Sequence, residues 1–242
     1  MSDNNLCITI APSKFTRFIA IIAVFLILIS VTTQVFKYTT GHDHVYGLIE
    51  LFYLGNEHNI PTFFSALILL LAAILIGIIG VLKRKVSGIY RLHWMSLAYL
   101  FLFLATDEAS GIHEMLQRPT VELIGSHPTG IFFFPWVIPG IALVVVLAFI
   151  YLRFWLHLPS YTRLLVFVAG SLYIAGAIGV EMTGGYYAEL HGMKNFTYSM
   201  IVTIEESLEM AGIILFIFAL LDYIENNFSN ARLHLTLTKA NN

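Results

Sequence analysis

Charged side chains are scarce in this sequence. Aspartate, glutamate, lysine and arginine make up 12% of the 242 residues, whereas a water-soluble domain carries about 25%. So small a share cannot cover a soluble surface, which excludes an ordinary water-soluble domain. The 58% of hydrophobic residues and the mean hydropathy of +0.80 predict a membrane protein instead.

Cysteine and clusters of basic residues are also nearly absent. Cys7 is the only cysteine and precedes the first apolar run, so neither an intramolecular disulfide nor a cluster of thiolate metal ligands can form. The formal net charge is -2, and there is no basic patch suited to nucleic acid. The expected partners are therefore membrane lipids and an apolar small-molecule substrate, not nucleic acid.

Long apolar runs dominate what is present. A membrane-spanning helix needs roughly 20 residues to cross a hydrocarbon core of about 30 Å, and six runs approach or reach this length. We predict an all-α fold, an integral membrane bundle of six helices. The predicted helices cover about 16–36, 61–82, 89–107, 131–152, 163–183 and 199–222 in a transmembrane domain of residues 1–225, followed by a cytoplasmic tail at 226–242.

The distribution of lysine and arginine predicts the orientation of these helices, because positive residues favour the cytoplasmic side. With the N-terminus inside, ten of these residues are cytoplasmic and only Lys37, Arg118 and Lys194 lie outside. Both termini are therefore expected in the cytoplasm, and the expected location is a bacterial inner membrane. The first run follows Lys14 and Arg17 as in a signal peptide. However, it continues for about 20 residues without a small-residue cleavage site, which favours a retained anchor.

Acidic side chains concentrate on the opposite side from the basic ones. Twelve of the 15 Asp and Glu residues fall in the outer half or its loops, a segregation that the positive-inside rule does not explain. Glu209 lies 13 residues before Asp222, which corresponds to about 20 Å of helix. A carboxylate at helix centre costs about 2.5–3.5 kcal/mol. We therefore expect these acids to face the interior of the bundle.

Spacing within the helices brings several acids to one flank. Glu205 and Glu206 lie four and three residues before Glu209, so the three share one side of helix six. In helix three, Asp107 and Glu114 align if the helix continues without a break between them. The acids of helices three, five and six are thus expected to meet in one outer vestibule.

Buried carboxylates without basic neighbours must share protons or bind a cation. Carboxylate and imidazole ligands suit zinc, iron or manganese, and helical bundles build such sites from inward-facing side chains. The candidate metal ligands are Asp107, Glu108, His113, Glu181, Glu205, Glu206 and Glu209, and the candidate catalytic residues are His113 and Glu114. We expect a divalent metal ion (Zn, Fe or Mn) in a membrane hydrolase or oxidoreductase that acts on a lipid or another apolar substrate.

Other interpretations stay open at the level of sequence. Acids inside a membrane can form a proton or cation pathway, although no comparable polar residues continue into the inner halves of the helices. They can also be structural, in an assembly subunit, since Glu205 and Glu206 suit the dipole at the start of helix six. His42-Asp43-His44 is a candidate accessory ligand set. Trp136 and its aromatic neighbours are interpreted as an interfacial belt.

Three motifs carry a family resemblance: Asn59-Ile-Pro-Thr-Phe-Phe-Ser65, Asp107-Glu-Ala-Ser-Gly-Ile-His-Glu114 and Glu205-Glu-Ser-Leu-Glu-Met210. They resemble motifs of uncharacterised bacterial polytopic membrane proteins with six helices. The resemblance spans helices two, three and six, and it implies no particular activity.

Overall fold

The computed structural model describes residues 11–42, 44–86 and 88–228, and this part of the chain is all-helical. The predictions for Cys7, for Asp43 of the His42-Asp43-His44 set and for residues 229–242 of the tail predicted at 226–242 lie outside the described residues.

Ten α-helices occur in the described part of the chain. They are α1 (Pro12–Thr40), α2 (Leu48–Phe52), α3 (Ile60–Val86), α4 (Arg91–Ser110), α5 (Ile112–Met115), α6 (Gln117–Ile124), α7 (Val137–His157), α8 (Ser160–Ile174), α9 (Glu181–His191) and α10 (Phe196–Asn227). A 3-10 turn at Gly130–Phe132 precedes α7. A π-helical turn at Ala175–Val180 joins α8 and α9 into one continuous helix, Ser160–His191.

In the described part of the chain, five helices are long and apolar enough to cross a membrane when Ser160–His191 is counted as one. They are α1, α3, α7, Ser160–His191 and α10. α4 becomes the sixth candidate if it is taken together with α5 and α6, from which it is separated by a bend of 78°. The prediction of an all-α chain with several long apolar helices is confirmed. The lengths and apolar composition of these helices fit a multi-pass membrane protein.

The observed helices extend beyond most of the predicted bounds, because hydropathy detects the apolar stretch and not the capping residues around it. The predicted helix at 131–152 is instead α7, which begins six residues later. The aromatic residues before it are apolar but not part of an α-helix, since Pro135 lacks an N–H and disfavours helical geometry at the preceding residue. Residues 114–129, which lie between the predicted helices 89–107 and 131–152, contain the end of α5 and all of α6.

The core lies between α3 and α10. The most apolar stretches of these helices are 56% and 50% buried, against 11% for α7 and for Ser160–His191. The buried side chains there include Leu69, Ala72, Ile76, Ile79, Met210, Ile213, Ile217 and Leu220. Inside a bilayer, helices associate through close packing, because lipid tails are as apolar as leucine.

Small residues allow α8 to approach α10 closely. A Cβ added at Gly212 would lie 2.8 Å from the carbonyl oxygen of Ala169 and 2.8 Å from the backbone nitrogen of Tyr173. The two backbones are therefore in contact at this level, as expected where glycine lies in a helix interface. Gly170 and Gly179 of the continuous helix face open space instead, so these two glycines do not serve packing.

Asparagine caps begin two of the long helices at the same end of the bundle. Oδ1 of Asn59 accepts from the N–H of Thr62 (3.1 Å) at the start of α3. Oδ1 of Asn195 accepts from the N–H of Tyr198 (2.9 Å) at the start of α10. Each cap satisfies a backbone donor that lacks a partner within its helix. We call this end of the bundle, where α4 ends and α10 begins, the acidic end.

Candidate functional site

α4 stops immediately after its acids. Gly111 adopts φ +62°, a conformation that glycine tolerates best, and its N–H donates to the carbonyl oxygen of Asp107 (2.7 Å). Because of this break, the condition under which Asp107 and Glu114 would align on one helical flank is not met. The physical reason is the left-handed glycine cap, which ends a helix and redirects the chain.

The turn after Gly111 brings His113 back onto Asp107. The backbone N–H of His113 donates to Oδ1 of Asp107 (2.6 Å), and Nδ1 of the imidazole lies 3.2 Å from Oδ2. Both carboxylate oxygens of Asp107 thus contact His113. The pair fixes the position of the imidazole, in the way that a carboxylate orients a functional histidine in other sites.

Trp136 connects this histidine to the continuous helix. Its ring centroid lies 4.8 Å from that of His113, and its Nε1–H donates to Oε1 of Glu181 (2.9 Å). Glu181 is the first residue after the π-helical turn, a type of distortion that is frequent at functional sites. Trp136, interpreted from the sequence as part of an interfacial belt, thus also contacts two residues of the candidate site, His113 and Glu181. No sequence pattern indicates its contact with Glu181, which is 45 residues away.

Glu181 and Glu205 face each other. Their carboxyl groups lie within hydrogen-bonding range of one another. Oε2 of Glu205 is buried and has no hydrogen-bond partner within the described residues. Since two carboxylates repel each other, a pair at this distance requires a shared proton or a bound cation.

Glu206 and Glu209 extend this group of acids along α10. The carboxylates near Glu206 include Glu108, Glu181 and Glu57. Those around Glu209 are Glu206, Glu108, Glu205 and Glu181. The acids of α4, α9 and α10 thus lie near each other at the acidic end. We refer to Glu108, Glu181, Glu205, Glu206 and Glu209 as the carboxylate cluster.

Glu57, in the segment between α2 and α3, reaches the cluster from outside the long helices. A Cβ added at Gly111 would lie 2.6 Å from both of its carboxylate oxygens. It also borders an open pocket of about 580 Å³ that is lined by residues between 47 and 59 and by Glu114. Glu114 is exposed in this pocket. Sequence reasoning counted Glu57 among the outer acids but did not assign it to the site.

A second acid in the same pocket, Glu50, is paired with a histidine. Nδ1 of His44 lies 2.9 Å from Oε1 of Glu50, and this hydrogen bond lowers the pKa of the Glu50 carboxyl. Both side chains are more than half exposed, so the pair contributes little to stability.

Lysine and arginine do not neutralise the carboxylate cluster. Within the described residues, the ion pairs shorter than 4 Å all join histidine to an acid: His44–Glu50, His58–Glu57 and His113–Asp107. No group of three or more His, Cys, Asp or Glu side chains in the described part of the chain is arranged to hold a metal ion. Metal coordination by the predicted ligands therefore stays a prediction.

Comparison with protein families gives one match. The model of a family described as "Domain of unknown function (DUF8692)" matches residues 17–224. The chain belongs to this family. The matched range covers at least most of each described helix and includes every member of the carboxylate cluster, and it fits the resemblance to uncharacterised proteins noted from the sequence. No curated protein and no solved structure matches the chain.

Proposed function

We propose that the chain is a multi-pass protein of a bacterial inner membrane, with both termini in the cytoplasm. The five candidate spans and the bent sixth one supply the required length and apolarity. The ten-to-three distribution of lysine and arginine supports the orientation. In this orientation the acidic end faces the outside.

We further propose that the carboxylate cluster is the centre of a metal-dependent membrane enzyme. The observation that carries this proposal is the apposition of Glu181 and Glu205, neither of which forms an ion pair with a basic side chain within the described residues. A divalent cation is a simple partner for such carboxylates, and with the imidazole of His113 the donor set suits zinc, iron or manganese. The metal would act as a Lewis acid or would activate a water molecule.

His113 and Glu114 are the proposed proton-transfer residues. Asp107 holds the imidazole of His113 in one orientation, which suits a general base. Glu114 is exposed in the open pocket beside the cluster, where it can exchange protons with water. In this proposal, the buried acids bind the cation and the residues after Gly111 move protons.

An apolar substrate or a lipid is the proposed reactant, and it would enter between α7 and the continuous helix. Only Val137 and Phe154 are buried along α7, so most of this helix is available to lipid. Trp136, directly before α7, donates to Glu181. A molecule that moves along α7 from the membrane therefore arrives at the carboxylate cluster.

Proton binding is the second candidate function. It is favoured by the carboxyl–carboxyl contact of Glu181 and Glu205, which one shared proton satisfies, and by the lack of a three-ligand arrangement within the described residues. A pathway across the whole membrane would need polar groups beyond the cluster. The core between α3 and α10 at the opposite end is apolar, so this function would be proton storage or exchange at one face.

Elemental analysis of the purified full-length protein tests the metal proposal. We expect about one equivalent of a transition metal in the wild type, a large loss in Glu209→Gln and His113→Ala, and no loss in Glu225→Gln. Glu225 is the matched control because it is an exposed glutamate at the opposite end of the same helix. A metal-free wild type that does not bind added Zn²⁺, Fe²⁺ or Mn²⁺ would refute the proposal. Proton uptake measured in liposomes would then test the second candidate.

A further inference from the structure

A groove between α1 and α10 has no member of the carboxylate cluster in its lining. It has a volume of about 430 Å³ and is lined on α1 from Ser13 to Ile27 and on α10 from Ser207 to Phe218. The groove exists because the facing residues are small: Ala20, Ala23 and Ala211 leave space that larger side chains would fill. Closer to the acidic end the same two helices pack tightly, and Ser30 and Gln34 on α1 are almost completely buried there.

The charged residue of the groove lining lies at one end. Ser13, Thr16 and Arg17 lie at the start of α1. The hydroxyl of Thr16 already donates to the carbonyl oxygen of Pro12 (2.8 Å). Farther along the groove, the hydroxyl of Ser207 donates to the carbonyl oxygen of Thr203 (2.6 Å). The remaining lining residues are apolar. Because the hydroxyls of Thr16 and Ser207 are already bonded to backbone carbonyls, the lining beyond Arg17 is suited to an apolar ligand.

Arg17 leaves a positive charge at one end of the groove. Its side chain is exposed, and within the described residues it makes no ion pair shorter than 4 Å. Lys14 precedes it by three residues on the same helix and is also exposed. Asp222 lies one turn beyond Phe218 on α10, but it is not paired with Arg17. An anionic group at this position would be attracted by two positive charges.

The length of the groove matches a lipid chain. Ser13 and Ile27 are 14 residues apart, which corresponds to about 21 Å of helix, more than half of a hydrocarbon core of about 30 Å. We infer that the groove is a binding site for one anionic phospholipid, with an acyl chain along Ala20, Ala23 and Ala211 and its phosphate at Arg17. This site is independent of the proposed enzyme activity and of the orientation of the bundle.

The test measures binding of defined lipids to the full-length protein. Native mass spectrometry and thermal unfolding are followed in detergent with added phosphatidylglycerol or phosphatidylcholine. We expect preferential retention of phosphatidylglycerol and a higher Tm with it. Arg17→Gln should weaken this preference about fivefold, as expected for one basic residue near a membrane surface, and Ala211→Leu should abolish retention by filling the groove.

Matched controls separate this site from general contact with the bilayer. Arg153→Gln removes an exposed arginine from α7, near the same end of the bundle, and Ala142→Leu adds the same bulk to an exposed position of α7. Both should bind phosphatidylglycerol like the wild type. Equal retention by the wild type, Arg17→Gln and Ala211→Leu would overturn the inference. A dimer that dissociates in Ala211→Leu would also overturn it, since a second copy would then occupy the groove.

Discussion

Gly176 lies directly against Glu209. A Cβ at position 176 would come 2.9 Å from Cγ of Glu209 and 2.7 Å from the carbonyl oxygen of Glu205. The π-helical turn at Ala175–Val180 thus packs against the very turn of α10 that carries the acids. The acids of α10 can lie this close to the neighbouring helix because residue 176 of that helix is a glycine and has no side chain.

Replacement of this glycine should destabilise the protein. Gly176→Ala forces a methyl group into the backbone of α10, and overpacking of this kind costs about 1–3 kcal/mol. We expect Tm in detergent to fall by several degrees. Gly179→Ala is the control in the same turn, because no atom lies within 4 Å of its added Cβ. It should leave Tm unchanged or raise it slightly, since alanine favours helices over glycine. Equal effects of the two variants would show that the close packing at Gly176 is absent.

The hydrogen bond from Trp136 should matter to the site and not only to stability. Trp136→Phe keeps an aromatic ring beside His113 but removes the donor to Glu181. Trp155→Phe removes a comparable indole hydrogen bond, to the carbonyl oxygen of Arg163 (3.0 Å). Each loss should cost about 1 kcal/mol of unfolding free energy.

Only Trp136→Phe should also change the Tm shift caused by added Zn²⁺ or Mn²⁺, because Glu181 then loses the group that positions it. The measurement is thermal unfolding of both variants with and without the metal ion. If the metal-induced shift is the same in both variants, then Trp136 has no part in cation binding.

Two effects on stability can be measured separately at Gly111: contact with the Glu57 carboxylate and strain from the left-handed backbone conformation. Gly111→Ala places a Cβ against the Glu57 carboxylate at φ +62°, whereas Gly125→Ala has a similar φ of +79° and open space around it. Both should lose about 1–2 kcal/mol from the left-handed conformation, and Gly111→Ala should lose more.

In a Glu57→Ala background the extra loss at position 111 should disappear. A double-mutant cycle of thermal stabilities at positions 57 and 111 measures this coupling directly. Additive effects of the two substitutions would mean that Glu57 does not rest on Gly111.

The proposed topology predicts which sites a membrane-impermeant maleimide can reach. In a Cys7→Ser background, Tyr46→Cys and Leu123→Cys introduce thiols at positions that are 98% and 88% exposed near the acidic end. They should be labelled on intact cells. Ile89→Cys, between α3 and α4 and 56% exposed, should be labelled only after the cells are broken. Labelling of Ile89→Cys on intact cells would contradict the orientation.

Much of the fold could be predicted because its signals are local. Apolar runs of about 20 residues indicate the long helices, and the three- and four-residue spacing of Glu205, Glu206 and Glu209 places them on one flank of α10 whatever surrounds it. The scarcity of charge and the separation of basic from acidic residues are likewise properties of the chain alone. These properties of the sequence together predicted that acids would lie at one end of a helical bundle.

The geometry of the site was decided by contacts between distant parts of the chain. Gly111 ends α4 and returns His113 to Asp107, although the apolar pattern alone did not show whether the helix continued. Trp136 and Glu181 are 45 residues apart in sequence and still hydrogen-bonded. Periodicity describes one helix at a time, whereas these contacts depend on how closely two backbones approach, as they do at Gly176. Only the packed structure fixes that distance, and with it the partner of each acid.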